Sequence, residues 1–153
     1  MFATKLFFAA FFAISAFYFA SALPTSLAPR ADWKTELGWD GKVTSPAELD
    51  PKNAVEATPS KRALPGGVFF CTDKDYKGKC VYVNQFNSGQ CVGVGPDFND
   101  DVSSFGPDQG LTCTIFSDAG CSGRATGGVI NPGIFNLQDF NNNDAMSSFM
   151  CTN

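Results

Sequence analysis

Asn99-Asp100-Asp101-Val102-Ser103-Ser104-Phe105 recurs as Asn143-Asp144-Ala145-Met146-Ser147-Ser148-Phe149, and an Asp-Phe pair stands upstream of each copy, Asp97-Phe98 and Asp139-Phe140. A second pair of related segments lies further upstream. Cys71-Thr72-Asp73-Lys74-Asp75-Tyr76-Lys77-Gly78 shares its frame with Phe116-Ser117-Asp118-Ala119-Gly120-Cys121-Ser122-Gly123, 45 residues later. Gly78 to Asn99 is 21 positions and Gly123 to Asn143 is 20. One such hexapeptide alone reads as a polar turn, because Asn, Asp and Ser bond their own backbone there. Two units with the same ends and nearly the same spacing mark a duplicated structural element.

Around these loops the chain reads as strands. Gly67-Val68-Phe69-Phe70, Cys80-Val81-Tyr82-Val83, Cys91-Val92-Gly93-Val94 and Cys113-Thr114-Ile115-Phe116 are short β-branched and aromatic runs. Gly, Asn, Asp and Pro separate them, and no window carries a useful helical period. The pattern predicts an all-β sandwich or barrel of short strands. Gly78 and Gly123 stand where a hairpin folds over and are expected to adopt positive φ.

The remaining sequence divides into three. Lys5, the apolar run Leu6 to Ala20 and the small-x-small site Ala20-Ser21-Ala22 make residues 1–22 a secretory signal peptide. A membrane-spanning helix needs about 20 apolar residues, and Pro24 with the polar stretch behind it comes too early. Residues 23–62 have no Cys and no Phe, with two Trp as their large apolar groups, so disorder is expected. They end at Lys61-Arg62, a dibasic pair at a sharp composition boundary, which reads as the cleavage site of a propeptide. The mature domain is then 63–153, with units at about 68–109 and 110–153.

Composition excludes several chemistries. The chain has no His, which removes Ser-His-Asp and Cys-His catalysis. All six Cys (Cys71, Cys80, Cys91, Cys113, Cys121 and Cys151) lie beyond residue 70 with no CxxC pair, so three disulfides are expected and not a zinc site. Their positions are unrelated by the repeat, and the pairing stays open. The mature part carries four basic residues against nine Asp, which argues against nucleic acid and anionic membranes as partners and suits a hard cation. Asp97 and Asp139 could be imagined as paired catalytic carboxylates, yet each precedes a Phe in a repeated loop and reads as structural.

The motifs resemble those of the βγ-crystallins. Aromatic-x4-aromatic-x-Gly followed by a Ser in the fourth strand is the Greek-key signature of that family, and Asn/Asp-Asn/Asp-x-x-Ser/Thr-Ser is the calcium-binding motif of its microbial members. The likeness covers about 68–153. Both hexapeptides fit fully, whereas Cys71 replaces the first aromatic in one unit and Cys121 the second in the other. The resemblance implies two Greek-key motifs forming one disulfide-stapled sandwich, with Tyr76 and Phe116 packed across the sheet onto Phe105 and Phe149. It also implies two calcium ions held reciprocally. At one, the Ser103 hydroxyl and the Asp101 carbonyl meet the Asp144 carboxylate. At the other, the Ser147 hydroxyl and the Ala145 carbonyl meet the Asp100 carboxylate. Carbonyls of Thr72 and Ser117 complete the two sets, and Ser104 and Ser148 bond within the loop. The expected protein is a secreted, extracellular, monomeric calcium binder without enzymatic activity. It would bind neither nucleic acid nor, once the signal is removed, membrane, and an extracellular protein target is open. A secreted toxin, effector or protease inhibitor on the same fold is the alternative.

Overall fold

The β-branched and aromatic runs become strands whose two faces bury different things. In the computed structural model, which describes Leu37, residues 39–56 and residues 64–153, strand β1 (Val68–Asp73) is the clearest case. Its Val68 and Phe70 enter the main core, while Phe69 and Cys71 join Tyr76 and Tyr82 in a second cluster on the other face. Side chains on a strand alternate between faces, so burial on both sides needs cover on both sides. The signal-peptide reading of 1–22 and the pair Lys61-Arg62 lie outside the described residues.

Six further strands follow: β2 (Lys77–Val83), β3 (Cys91–Gly93), β4 (Ser104–Pro107), β5 (Thr112–Asp118), β6 (Ser122–Ile130) and β7 (Ser148–Thr152). They form two antiparallel sheets, β2-β1-β4 and β3-β7-β5-β6. Chain order and sheet order disagree in an informative way. β3 leaves the first unit and pairs with β7 of the second, while Ile134 of the second unit bridges antiparallel to Phe105 of the first. Each unit therefore lends its third segment to the other sheet, and the expected pair of Greek keys shares one core. Phe70 and Phe105 are register partners within one sheet, and Phe149 of the other sheet lies 6.1 and 5.5 Å from them between ring centroids. All three rings are fully buried, each contributing about 1.5–3 kcal/mol. Among the described residues no helix is long and apolar enough to cross a membrane.

The six Cys form three disulfides. Cys71–Cys80 joins register partners of β1 and β2, and Cys113–Cys151 joins register partners of β5 and β7, both with Cα atoms 4.1 Å apart. Cys91–Cys121 ties β3 to the corner between β5 and β6.

Two expectations need correction. Residues 39–56 are ordered. Ser45 caps the short helix α1 (Pro46–Leu49) in a reciprocal capping box with Glu48, and a 3-10 turn, Pro51–Glu56, follows. Local capping and docked contacts supply the order that apolar content alone did not suggest. Tyr76 and Phe116 do not pack on Phe105 and Phe149. Tyr76 lies on the outer face against Phe69 and Phe135, at 5.9 and 5.1 Å. Phe116 pairs in register with Ser148, one step out of phase with the buried pair Ile115 and Phe149. For Phe116 the strand's period of two puts the ring on the other face from Phe149, whereas Tyr76 sits in the corner turn, outside the strands.

Candidate metal centre

The two folded corners place the repeated loops. Gly78 and Gly123 have φ of 77° and 76°, and a Cβ at either would lie 2.4 Å from the hydroxyl of Thr72 or Ser117. Those hydroxyls in turn accept from the backbone N–H groups of Lys79 and Arg124 at 3.0 and 2.9 Å. The corner is then locked from the opposite strand. Ser104 Oγ donates to the Asp73 carbonyl and accepts from the Tyr76 N–H, at 2.8 and 3.2 Å. Ser148 Oγ donates to the Asp118 carbonyl and accepts from the Cys121 N–H, at 2.6 and 3.0 Å. These two serines thus clamp the corners and do not bond within their own loops, because they already belong to β4 and β7.

One residue earlier the chain presents the candidate ligands. The Ser103 N–H donates to the Cys71 carbonyl at 2.9 Å and the Ser147 N–H to the Phe116 carbonyl at 3.0 Å. Each serine therefore sits beside Thr72 or Ser117, the next residue along. The Ser103 carbonyl accepts from Leu137 and the Ser147 carbonyl from Val94, the latter just past the end of β3. Both serines are held from two sides, with 8% and 7% of their surface exposed.

The loops meet across the pseudo-twofold. Asp100 donates its N–H to the Met146 carbonyl and Asp144 to the Val102 carbonyl, both at 3.3 Å. Both aspartates are left-handed, with φ of 58° and 49°, which swings their carboxylates toward the other motif. Ser103 Oγ lies 3.3 Å from Asp144 Oδ1, and Ser147 Oγ lies 3.4 Å from Asp100 Oδ1. The other carboxylate oxygens accept from the preceding amides, Asn99 to Asp100 at 2.8 Å and Asn143 to Asp144 at 2.6 Å. The structure therefore brings Ser103 to Asp144 and Ser147 to Asp100, residues 41 and 47 apart in sequence. Among the described residues the carbonyls of Asp101 and Ala145 accept no hydrogen bond. Asn99 and Asn143 are the participants the sequence reading passed over, although both stand in the quoted motif.

The donor chemistry fits a hard cation. Each cluster offers a carboxylate, a hydroxyl and unclaimed carbonyl oxygen, with no sulfur or imidazole, which suits calcium and not a soft metal. Two oxygens each about 2.3–2.6 Å from one ion and roughly at a right angle stand ~3.3–3.7 Å apart. The observed hydroxyl–carboxylate separations fall in that range. Among the described residues no three His, Cys, Asp or Glu side chains gather, so charge alone builds no cage. Asp97 and Asp139 are not paired: Asp97 bonds Lys79 Nζ at 2.7 Å, and Asp139 accepts from Asn136.

Strand exchange, paired corners and crossed loops together decide the architecture. The fold is βγ-crystallin-like. Among solved structures the chain is similar to a βγ-crystallin from Ciona intestinalis, with 25% identity, a TM-score of 0.45, and coverage of 56% of this chain and 98% of that one. It is also similar to a βγ-crystallin domain from Flavobacterium johnsoniae, with 24% identity, a TM-score of 0.42, and coverage of 55% and 91%. A structure concerning the evolution of the eye lens βγ-crystallin domain fold gives 22% identity, a TM-score of 0.49, and coverage of 63% and 93%. No family model matches the chain, and the curated proteins give no match. The βγ-crystallin-like assignment accordingly rests on the pairing described above.

Proposed function

We propose that this chain is a secreted calcium-binding protein, structural or surface-acting and without catalysis, whose two loops form reciprocal clamps for calcium. The observation that carries the reading is the crossed pairing of Ser103 with Asp144 and of Ser147 with Asp100. In this reading Ser103, Asp144 and the carbonyls of Asp101 and Thr72 hold one ion. Ser147, Asp100 and the carbonyls of Ala145 and Ser117 hold the other. A bound calcium ion would supply positive charge at the point where the two acidic loops approach. The chain's own part is positioning. The Asn99 and Asn143 amides orient the carboxylates, and the backbone bonds to Cys71 and Phe116 fix the serines. Exit through the secretory route and cleavage after Lys61-Arg62 belong to the same proposal, and N-terminal sequencing of the secreted form should begin at Ala63.

Point mutants test the clamp. Asp144→Ala should weaken the ion held by Ser103 more than the one held by Ser147, and Asp100→Ala should show the mirror image. Calcium titration followed by NMR amide shifts of Ser103 and Ser147 reads the two sites separately. If each aspartate instead affects only its own loop, the clamps are not reciprocal.

A further inference from the structure

Residues 39–56 lie across the open edges of both sheets. β2 is the outer strand of the first sheet and β3 of the second. On the β2 edge, the Thr44 N–H donates to the Tyr82 carbonyl at 2.8 Å and its carbonyl accepts from Asn84 at 3.3 Å, a one-residue parallel bridge. On the β3 edge, the Asn53 amide imitates a strand. Its Oδ1 accepts from the Gly93 N–H at 2.8 Å and its Nδ2 donates to the Gly93 carbonyl at 3.0 Å. Asn53 is 7% exposed. Between these points Leu49 packs on the main core, and its carbonyl stands 2.1 Å from where a Cβ on Gly95 would be, so only glycine admits it. Trp39 lies on Tyr82 with ring centroids 4.9 Å apart, and Leu37 joins the same outer cluster. A cavity of about 520 Å³ remains under this strap, walled by Phe69, Tyr82, Lys79 and Phe98.

An uncovered sheet edge is a template for another chain, and such edges are normally hidden. Here the cover lies on the far side of Lys61-Arg62 from the domain it covers. While the backbone is continuous, a short connection keeps the strap at an effective concentration of about millimolar. A cut removes that advantage. The free strap must then meet the ordering cost of its whole length, about 1–2 kcal/mol per residue, with few direct bonds to offset it.

We propose that residues 39–56 are a removable cover, and that cleavage after Arg62 uncovers a face for a polypeptide segment carrying an aromatic side chain and an asparagine. The strap shows what the face accepts: backbone pairing at the β2 edge, a ring on Tyr82, and a side-chain amide across Gly93. The face thus pairs one backbone residue at a sheet edge and adds two side-chain specificity points. The proposal goes beyond the calcium reading and shares with it only the cleavage pair. N-terminal sequencing decides the cleavage, while the binding assay uses a cut made in vitro, so either can fail alone.

The test uses the uncleaved chain and its own fluorophores. Both tryptophans, Trp33 and Trp39, lie upstream of Arg62. In a Trp33→Phe background, Trp39 emission therefore reports the strap alone. In the intact chain the emission should be that of a docked ring and independent of dilution. After cutting with a kexin-type protease, dilution from about 100 µM to about 1 µM should move it to the value of the free peptide. A synthetic peptide of residues 37–56 should rebind the stripped domain saturably, and the Asn53→Ala peptide should bind roughly tenfold more weakly, having lost two hydrogen bonds. Retention of the strap at 1 µM would overturn the proposal by making the strap a permanent subunit. Equal binding of the Asn53→Ala peptide, or no binding of either, would overturn the specificity. Self-association of the stripped domain that excludes the peptide would assign the face to a second copy and equally overturn it.

Discussion

Ser148→Ala removes one oxygen from a fully buried position, and the structure sets the cost. That hydroxyl serves two backbone groups at once, the Asp118 carbonyl and the Cys121 N–H. If water reaches both orphans, the loss is the net value of two hydrogen bonds, about 2 kcal/mol. If neither is rescued, each incurs a desolvation cost of about 2 kcal/mol, for a total of ~4 kcal/mol. Ser104→Ala should fall in the same range, since its hydroxyl serves Asp73 and Tyr76 in the same way. Ser122→Ala is the control, because Ser122 is exposed and its hydroxyl bonds the nearby Ala119 carbonyl; it should change stability by less than about 0.5 kcal/mol. Urea unfolding of the secreted chain, read as a midpoint shift at constant slope, measures all three. A loss below about 1 kcal/mol for both Ser104→Ala and Ser148→Ala would refute the corner-clamp reasoning.

Three further predictions follow from packing, crosslinking and capping. Phe149→Ala, which empties the contact with Phe70, Phe86 and Phe105, should cost about 3–5 kcal/mol and leave one cooperative transition; two separate transitions would contradict the shared core. Replacing Cys113 and Cys151 together by Ala should lower stability by about 2–5 kcal/mol in equilibrium unfolding, because the bridge closes a separation of 38 residues. The backbone N–H and then the hydroxyl of Ser45 hold the Glu48 carboxyl below its ordinary range. Its support for strap docking is therefore present above the ordinary carboxylate range and lost only as pH falls through the lowered value. Trp39 fluorescence should report undocking on acidification in the wild type, and a weaker pH dependence in Glu48→Gln.

The repeat made the fold legible because its fixed residues answer to backbone geometry. Gly78 and Gly123 are required by positive φ, and Ser104 and Ser148 by buried corner groups, so their spacing encodes the hairpins. The ligand pairing was legible only through family resemblance, since nothing in a linear loop says that Asp100 will face Ser147. Disulfide pairing was hidden for a related reason. Cys113 and Cys151 become partners only through the β5–β7 register, and Cys91 reaches Cys121 only because β3 joins the second sheet. Tyr76 was misjudged because it lies in a corner turn where no strand period applies, and Phe116 because it is one step out of phase with the buried Ile115. The strap escaped notice because its order comes from one capping box and two docking points, although Ser45-Pro46-Ala47-Glu48 carries the capping signal in plain sequence.

Calcium titration of the wild-type secreted chain by calorimetry tests the central claim most directly. Each clamp has a single carboxylate, so low ligand charge predicts weak binding, on the order of 10⁻⁵ to 10⁻³ M, at two ions per chain. Because the clamps join loops that exist together only in the folded state, millimolar calcium should also raise the melting temperature. Two bound ions with a calcium-dependent melting shift is the predicted result. Neither binding heat nor any melting shift at millimolar calcium would contradict the account and leave the crossed loops as turns alone.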